Sequence, residues 1–492
     1  MEIQFQKNSV SYLKTLLRQQ QKQEQTQQVR LSDTMPDIGR ILGVWGQVIL
    51  RGKEWRGDSV GVSGGVMAWV LYASEGDGKP CCVDAWIPFQ MQWDMEGADR
   101  DGTIEVSPQL CHIDARMLSD RKMILRATVG VTMQAMLPAS GNLYTPAELP
   151  ADIQILQRTY PMLLPAEAGE KQFELEQSLE IPPDGARVDK LIRYCASPAL
   201  TEYKIVSDKL ILRGNAEIYA LYMDDLGKLR RRSWQVPFSQ YTQLEGEYGP
   251  DAQVSVCFAV TQLEMEVTQA DAIALKLGFT AQYVVEARQN LMITEDMYCP
   301  GRELKPEAEA FSLPSVLQKK TNPLRAEAEM PEGTVLDVDF SMELPKTVRK
   351  DGGVSTELEG SFQTLYLDEN GELQSRLQRW ESSMEEPVGE DAEYSVRVIP
   401  EPASLQDMGI GAQLQWETMT VGGTPLQQIT GVQLGDAVMR DPQRPSLILR
   451  RAGTETLWEI AKGCGSTVDA IMKANGLQQE PGSEQMLLIP VS

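Results

Sequence analysis

Few residues of this chain have side chains suited to catalysis. His112 is the single histidine among 492 residues, so a histidine-rich metal site is excluded and one imidazole remains as a general base. A Gly-x-Ser-x-Gly pattern at 61–65 makes Ser63 a nominal nucleophile, but the residues after it alternate like a strand where a nucleophile elbow needs a helix. Cys111 and His112 are neighbours, and neighbours on a strand point to opposite faces. A hydrolase using Ser63, or Cys111 with His112, is therefore only a hypothesis to be tested, and we predict a non-enzyme.

The cysteines and acidic pairs favour structural roles over metal or redox chemistry. The seven cysteines are odd in number and lack Cys-x-x-Cys spacing, which indicates reduced thiols in the cytosol. The adjacent Cys81 and Cys82 are interpreted as core or surface thiols, with a redox sensor as the alternative. Acidic pairs at 224–225 and 368–369 occupy expected turns and lack the spacing of an EF-hand loop. No phosphate-binding glycine loop occurs, so we predict no metal and no cofactor.

Length and charge limit the classes of protein. A chain of 492 residues predicts three or four domains. The net charge of −24 argues against nucleic acid and against adsorption to an anionic membrane. The N-terminus lacks the pattern of a signal peptide, and no run reaches the ~18 apolar residues of a membrane-spanning helix. We expect no membrane insertion, and we expect the chain to remain in the compartment where it is made.

Three hairpin-like segments repeat along the first 440 residues. Each has an alternating strand that ends in Leu-Tyr, an acidic turn containing glycine, and a second strand that carries a tryptophan. The tyrosines are 150 and 144 residues apart, a period that indicates tandem domains rather than a solenoid. The anchors are Tyr72, Tyr222 and Tyr366, with Trp86, Trp234 and Trp380 on the returning strands.

The repeat predicts a multidomain, mainly β protein. Short alternating segments separated by Gly, Pro, Asn and Asp are typical of sandwich or barrel domains, and proline clusters mark the joins. We predict three all-β domains at 1–150, 151–298 and 299–440, with the third the most diverged, followed by a small βααβ module at 446–492. The opening segment "SVSYLKTLLRQQQKQEQTQQ" is either an amphipathic helix or an edge strand with a linker.

The C-terminal module is predicted in most detail. Thr456 with Glu459 three positions later forms a capping box, and an apolar stripe follows at helical spacing. Lys462-Gly463 is a plausible end of this helix. Ser466 with Asp469 repeats the capping signal, and Asn475-Gly476 ends a second helix. Short strands, "SLILRR" and "MLLIPV", flank the helix pair.

This module resembles the LysM domain in its Glu-Thr-Leu-Trp segment, its Ile-Ala pair, its Asn-Gly-Leu segment and its closing Leu-Leu-Ile-Pro. The resemblance implies binding of N-acetylglucosamine polymers such as peptidoglycan through the loop before the first helix and the loop after the second. Thr454 stands where the family usually has glycine, which favours docking of a protein over a sugar. The expected partner surface comprises Thr454, Glu455, Thr456, Leu457, Trp458, Asn475, Gly476 and Leu477.

The β-repeats resemble the SPOCS domains of spore-forming Firmicutes. The residues that carry this resemblance are "QTQQVRLSDTMPDIGRILGVWGQVILRG" and "VSGGVMAWVLY" in the first copy, and "LEIPPDGARVDKLI" and "KLILRGNAEIYALY" in the second. The resemblance implies a scaffold for the spore coat, made in the mother cell and acting at the forespore surface. It also implies that the LysM tail binds the coat-basement ATPase, with peptidoglycan binding as the alternative.

Overall fold

Alternation of apolar and polar residues produces an almost entirely β structure. The computed structural model describes residues 3–95, 102–181, 187–269, 271–406, 409–423, 425–438, 445–482 and 484–491. Part of the Pro-Asp segment quoted above, at 182–186, lies outside these ranges, and so does one proline of the join before the C-terminal module, at 442. Long antiparallel strands fill the chain up to residue 437, and two short helices lie near its end. The predicted mainly β multidomain fold is confirmed.

The first repeat consists of six strands in two antiparallel sheets, with the orders β2-β3-β4 and β1-β6-β5. Alternate residues of β3, such as Val60 and Val62, and of β6, such as Leu125 and Val129, are buried in one shared core. This period of two is expected where one face of each sheet is buried. The strands are β1 (Phe5–Arg30), β2 (Ile38–Arg56), β3 (Ser59–Ser74), β4 (Pro80–Asp94), β5 (Thr103–Ser119) and β6 (Lys122–Pro146).

The N-terminal segment is a strand and not a helix. β1 pairs with β6 from Phe5 to Arg30, and this pairing runs through the glutamine-rich stretch. The amphipathic-helix alternative is therefore wrong, and the edge-strand alternative holds without the linker. The helical spacing of Val10, Leu13 and Leu17 does not mark one apolar face, because Val10 packs in a cluster with Leu143 and Leu17 packs against the core of the first repeat.

The second repeat has the same strand order, with sheets β8-β9-β10 and β11-β12-β7. Its core lies between them and contains four phenylalanines, Phe173, Phe238, Phe258 and Phe279. The strands are β7 (Gln154–Glu180), β8 (Val188–Val206), β9 (Lys209–Asp224), β10 (Leu229–Gln243), β11 (Gln253–Gln269) and β12 (Ala272–Tyr298).

The third repeat keeps this order but interrupts its long strands. Its sheets have the orders β15-β17-β18 and β14-β21-β19, with β13 paired to β22 and the short β16 and β20 added at β17 and β21. In all three repeats the predicted hairpin is confirmed, because the tyrosine strand pairs with the tryptophan strand. The strands are β13 (Arg302–Phe311), β14 (Ser315–Ala328), β15 (Thr334–Met342), β16 (Lys346–Lys350), β17 (Gly353–Leu367), β18 (Leu373–Pro387), β19 (Glu393–Pro400), β20 (Ser404–Gln406), β21 (Gly409–Gly422) and β22 (Leu426–Ala437).

One glycine of each of the first two repeats allows two strands to approach closely. A Cβ on Gly214 would lie 2.1 Å from the carbonyl oxygen of Ala199 and 2.4 Å from Cζ of Phe238. At the equivalent Gly64, a Cβ would lie 2.3 Å from the carbonyl oxygen of Ile49. A carbonyl oxygen held in a sheet cannot move away easily, so both positions exclude a side chain.

We expect Gly214→Ala to lower the free energy of unfolding by about 1–3 kcal/mol, because the added methyl overlaps the backbone and the packed Phe238 ring. Chemical denaturation followed by circular dichroism measures the loss. Gly61→Ala is the matched control, since its Cβ would lie 3.5 Å from the Glu54 side chain and clear of backbone. Equal stability of the two variants would contradict the close approach.

The C-terminal module has its own core around two helices and a two-stranded sheet. The order is β23 (Leu447–Arg451), α1 (Leu457–Cys464), α2 (Val468–Asn475) and β24 (Met486–Pro490). Leu457, Ile460, Ile471, Leu487 and Ile489 are buried together, in agreement with the predicted apolar stripes.

The predicted helix ends of this module are partly corrected. The Thr456–Glu459 capping box is present, and Gly476 ends α2 with a positive φ of 64°. However, α1 continues past Lys462-Gly463, because the left-handed cap is Gly465. The N-cap of α2 is Thr467 and not Ser466, since the Ser466 hydroxyl is already bound to the carbonyl oxygen of Pro490.

Candidate binding surfaces of the C-terminal module

The loop before α1 and the loop after α2 are adjacent in the structure. The carboxylate of Glu480, in the second loop, accepts a hydrogen bond of 2.9 Å from the backbone N–H of Leu457, at the start of α1. This carboxylate accepts a bond from one of the N–H donors that a helix N-terminus leaves free. Its negative charge also interacts favourably with the positive end of the helix dipole. The two loops that the LysM resemblance assigns to ligand binding are thus brought together, through Glu480, which lies outside the predicted surface residues.

The first loop is held in place by charged side chains and leaves an exposed edge. The Glu459 carboxylate accepts a 2.8 Å bond from the Thr456 backbone N–H, and this bond lowers the pKa of Glu459. Glu455 forms an ion pair with Arg450 on β23. Thr454, Glu455 and Thr456 are all exposed. An open and ordered loop of this kind is suited to contact a ligand or a protein.

Three of the predicted surface residues serve the fold of the module. Leu457 is 2% exposed in its core, and Leu477 packs against the same core. The Asn475 side-chain amide donates to the carbonyl oxygens of Ile471 and Leu488, at 2.8 and 2.7 Å, and accepts from the Leu488 N–H at 2.8 Å. Asn475 therefore connects α2 to β24 through hydrogen bonds. Gly476, the next residue, is exposed.

Trp458 faces the second repeat instead of the two loops. Its indole N–H donates a 2.8 Å hydrogen bond to the carboxylate of Asp296 near the end of β12. Its ring meets the ring of Tyr298 edge to face, with centroids 4.8 Å apart and an interplanar angle of 73°. Lys462, one helical turn later, places its ammonium 2.7 Å from the same carboxylate. Trp458 thus joins the module to the β-repeats.

Tyr298, at the end of β12, reaches into the core of the module. Its side chain is 6% exposed and belongs to the core cluster of the module. Its hydroxyl donates a 3.0 Å bond to the carbonyl oxygen of Ser466. Burial, and to a smaller extent the neighbouring Asp296 carboxylate, raises the pKa of Tyr298 to about 12. No local pattern predicts this contact, because Tyr298 and Ser466 are 168 residues apart.

A cavity of about 630 Å³ with both polar and apolar walls lies where the three repeats meet. Equivalent strands of the repeats line it, among them β2, β8 and β15. The guanidinium of Arg397, on β19, binds Glu417 at 2.6 Å and the carbonyl oxygen of Val256 at 3.1 Å. The Lys319 ammonium, on β14, binds Ser255 at 2.7 Å and Glu286 at 3.3 Å. These contacts connect the third repeat to the second.

The candidate catalytic residues do not assemble into a site. Ser63 lies within β3, between β2 and β4, so the helix that a nucleophile elbow needs does not follow it. Cys111 is buried and His112 is exposed, and the pKa of Cys111 is raised to about 11 by burial. Within the described ranges, no group of three or more potential metal ligands is present. The seven cysteines are free thiols.

The fold and the tail define a multidomain β protein with a C-terminal binding module, and comparison with protein families gives the domain types. The family described as "SipL, SPOCS domain" matches residues 37–118 and 187–268, the second to fifth strands of the first two repeats. The LysM domain family matches residues 455–483. The chain therefore carries two SPOCS domains and one LysM domain, as its motifs predicted.

Both domain types are binding modules, and together they indicate a sporulation-associated protein with a peptidoglycan-binding type of module. Searches of curated proteins and of solved structures gave no match. Among the described residues, no helix has the length and apolar character needed to cross a membrane.

Proposed function

We propose that this chain is a non-enzymatic scaffold in spore-envelope assembly that acts through protein contacts at the forespore surface. The observation that carries the proposal is the fusion of two SPOCS domains with one LysM domain. The LysM tail binds the coat-basement ATPase through its two adjacent loops, and the β-repeats hold the tail and offer further contacts. The net charge of −24 suits the repeats to basic surfaces of a partner.

We also propose the domain division 1–150, 151–298, 299–440 and 446–492. Support for the third domain comes from its strand order, which follows that of the two SPOCS-containing repeats despite the interrupted strands. In this division the first two β domains have two sheets each and the third has three, and the tail has a core cluster that Tyr298 also enters.

Peptidoglycan binding is the second candidate, favoured by the LysM match itself. Thr454 argues for the protein partner, because a side chain here adds bulk and a hydroxyl at the loop where a sugar polymer would need close approach to the backbone. Its exposure leaves that side chain available for contact with a protein surface.

Arginine substitutions in the two loops test the proposal. The full chain with Thr454→Arg and Gln478→Arg should bind the purified coat-basement ATPase at least about tenfold more weakly, a loss of about 1.4 kcal/mol. Both positions are exposed, so the module should keep its thermal transition. Asp469→Arg, in the first turn of α2, is the control and should leave binding unchanged.

A second arm separates the two candidate functions. Glycan binding is supported if the wild-type chain sediments with purified peptidoglycan and does not bind the ATPase, while the variant with both arginines no longer sediments with peptidoglycan. That result overturns the scaffold proposal. If a fluorescent fusion stays diffuse in the mother cell throughout engulfment, the sporulation role itself fails.

A further inference from the structure

The contact between the LysM module and the second repeat centres on one carboxylate. Trp458 and Lys462 occupy the same face of α1, and both reach the Asp296 side chain, with donor–acceptor distances of 2.7–2.8 Å. The Tyr298 ring, two residues further along β12, closes against the edge of the Trp458 ring. The face of α1 thus presents an indole N–H, an ammonium and a ring edge to a carboxylate followed by an aromatic ring.

The strand is shaped to present this carboxylate. The pairing of β12 with β7 shifts register between Thr294 and Asp296, and such a bulge redirects the side chains beside it. The neighbouring Glu295 turns to Arg158, at 3.4 Å, and to the hydroxyl of Tyr160. Two adjacent acidic residues therefore have different partners, one within the repeat and one on the module.

The polar part of this contact is suited to exchange. The side chains of Lys462 and Asp296 are 45% and 24% exposed, so water screens their ion pair and competes with it. The core of the module is formed by its own apolar residues together with the Tyr298 ring, so a partner that displaces Tyr298 must supply a ring in its place. A protein offering a similar carboxylate and ring can therefore replace Asp296 and Tyr298 on α1.

We propose that the Trp458–Lys462 face of α1 is a docking surface for an acidic–aromatic protein segment, and that Asp296 and Tyr298 occupy it in the unbound chain. A partner segment with a carboxylate next to an aromatic ring displaces them. That Asp296 and Tyr298 occupy this surface follows from the contacts themselves. That a partner displaces them rests on the proposed function. A neutral glycan lacks the charge that Lys462 and the indole N–H recognise together.

Indole resonances of the full chain test the occupied state. Nine tryptophans give a tractable set of ¹⁵N–¹H indole signals, and Trp458→Phe assigns the signal of Trp458. Asp296→Ala should move that signal upfield, because the indole loses its charged acceptor. Glu295→Ala is the matched control, because Glu295 binds within the repeat, and it should leave the signal in place. If the Trp458 signal does not shift in Asp296→Ala, the proposal is overturned.

A peptide probe tests the chemistry of the surface separately. The probe is a synthetic peptide covering residues 293–299, with serine in place of cysteine. It should bind the Asp296→Ala chain at least about tenfold more tightly than wild type, a difference of about 1.4 kcal/mol, because the surface is vacated. The same peptide with Asn for Asp is the control. Equal binding of the two peptides, or no binding of either, overturns the acidic–aromatic specificity.

Binding of the ATPase to variants of the full chain tests the displacement step. Asp296→Ala should strengthen its binding to the full chain, and Lys462→Met should weaken it. Unchanged binding in both variants overturns the displacement step. If the ATPase does not bind the wild-type chain at all, the proposed function fails, and the indole and peptide results still decide the occupied surface.

Discussion

Replacing Arg193 by methionine is expected to lower the free energy of unfolding by about 3–5 kcal/mol, because it leaves a buried carboxylate without its main partner. Arg193 lies on β8 and is 6% exposed, and Asp337, on β15, is 1% exposed. Their charged groups are 2.7 Å apart, and a second bond of 2.9 Å joins Arg193 to Asp339. The substitution removes both bonds.

The same guanidinium joins all three repeats. It lies 4.9 Å from the centroid of the Trp45 ring, on β2 of the first repeat, while Asp337 and Asp339 belong to the third. Arg231 remains near Asp337 in the variant, at 3.4 Å. We therefore expect the loss of stability to appear in the earliest unfolding transition, in which the repeats separate from one another.

The pH dependence of the loss identifies its cause. Burial raises the pKa of Asp337, and Arg193 and Arg231 oppose that shift. Without Arg193 the pKa of Asp337 should rise further. Since the folded state then binds a proton more tightly than the unfolded state, the variant gains stability as pH falls from neutrality towards the ordinary range of an aspartate. The difference from wild type should be largest at pH 7 and smaller at pH 5.

Two controls accompany this measurement. Arg213→Met removes an exposed pair with Glu202 at 3.5 Å, where both side chains are 58% exposed, and should cost less than about 0.5 kcal/mol. Arg193→Met combined with Asp337→Asn should recover part of the loss, because the unpaired charge is gone. A loss that is independent of pH and unaffected by Asp337→Asn would mean that packing, and not charge, explains the effect.

The hairpins and the C-terminal module could be predicted because their signals are local. Alternation around Tyr72 and Tyr222 fixes which face of each strand is buried, and the Thr456 capping box depends on residues three positions apart. The end of α1 could not be predicted as well, because both Gly463 and Gly465 are suited to cap a helix. Gly465 is the cap, since its backbone N–H donates to the carbonyl oxygens of Ala461 and Lys462.

Contacts between distant segments could not be predicted in this way. Asp296 meets Trp458 across 162 residues, and Arg193 meets Asp337 across 144. Nothing in the neighbouring residues specifies such pairs, because they depend on how the sheets of different repeats pack. For the same reason we expected Trp458 on the partner surface, and for Asn475 we predicted only the end of α2 and not its bonds to Leu488 on β24.

The last large effect is expected at the centre of the second repeat, where Phe279→Ala should lower the free energy of unfolding by about 3–5 kcal/mol. Phe279 is 0% exposed. Its ring stacks on that of Phe173 in the paired strand, with centroids 4.8 Å apart and planes 7° apart. It meets Phe238 and Phe258 edge on, at 5.1 and 5.7 Å. Truncation leaves a cavity that three other rings border.

Phe279→Leu is the graded control and should cost less than about 1.5 kcal/mol, because it retains most of the buried volume. Hydrogen exchange should show faster exchange of β7 to β12 in Phe279→Ala. The LysM helices should keep their protection, because Leu457, Ile460 and Ile471 lie in a core cluster that does not contain Phe279. If α1 and α2 lose protection to the same extent, the module depends on the second repeat for its fold, and the Asp296 contact would be part of one cooperative structure rather than an exchangeable one.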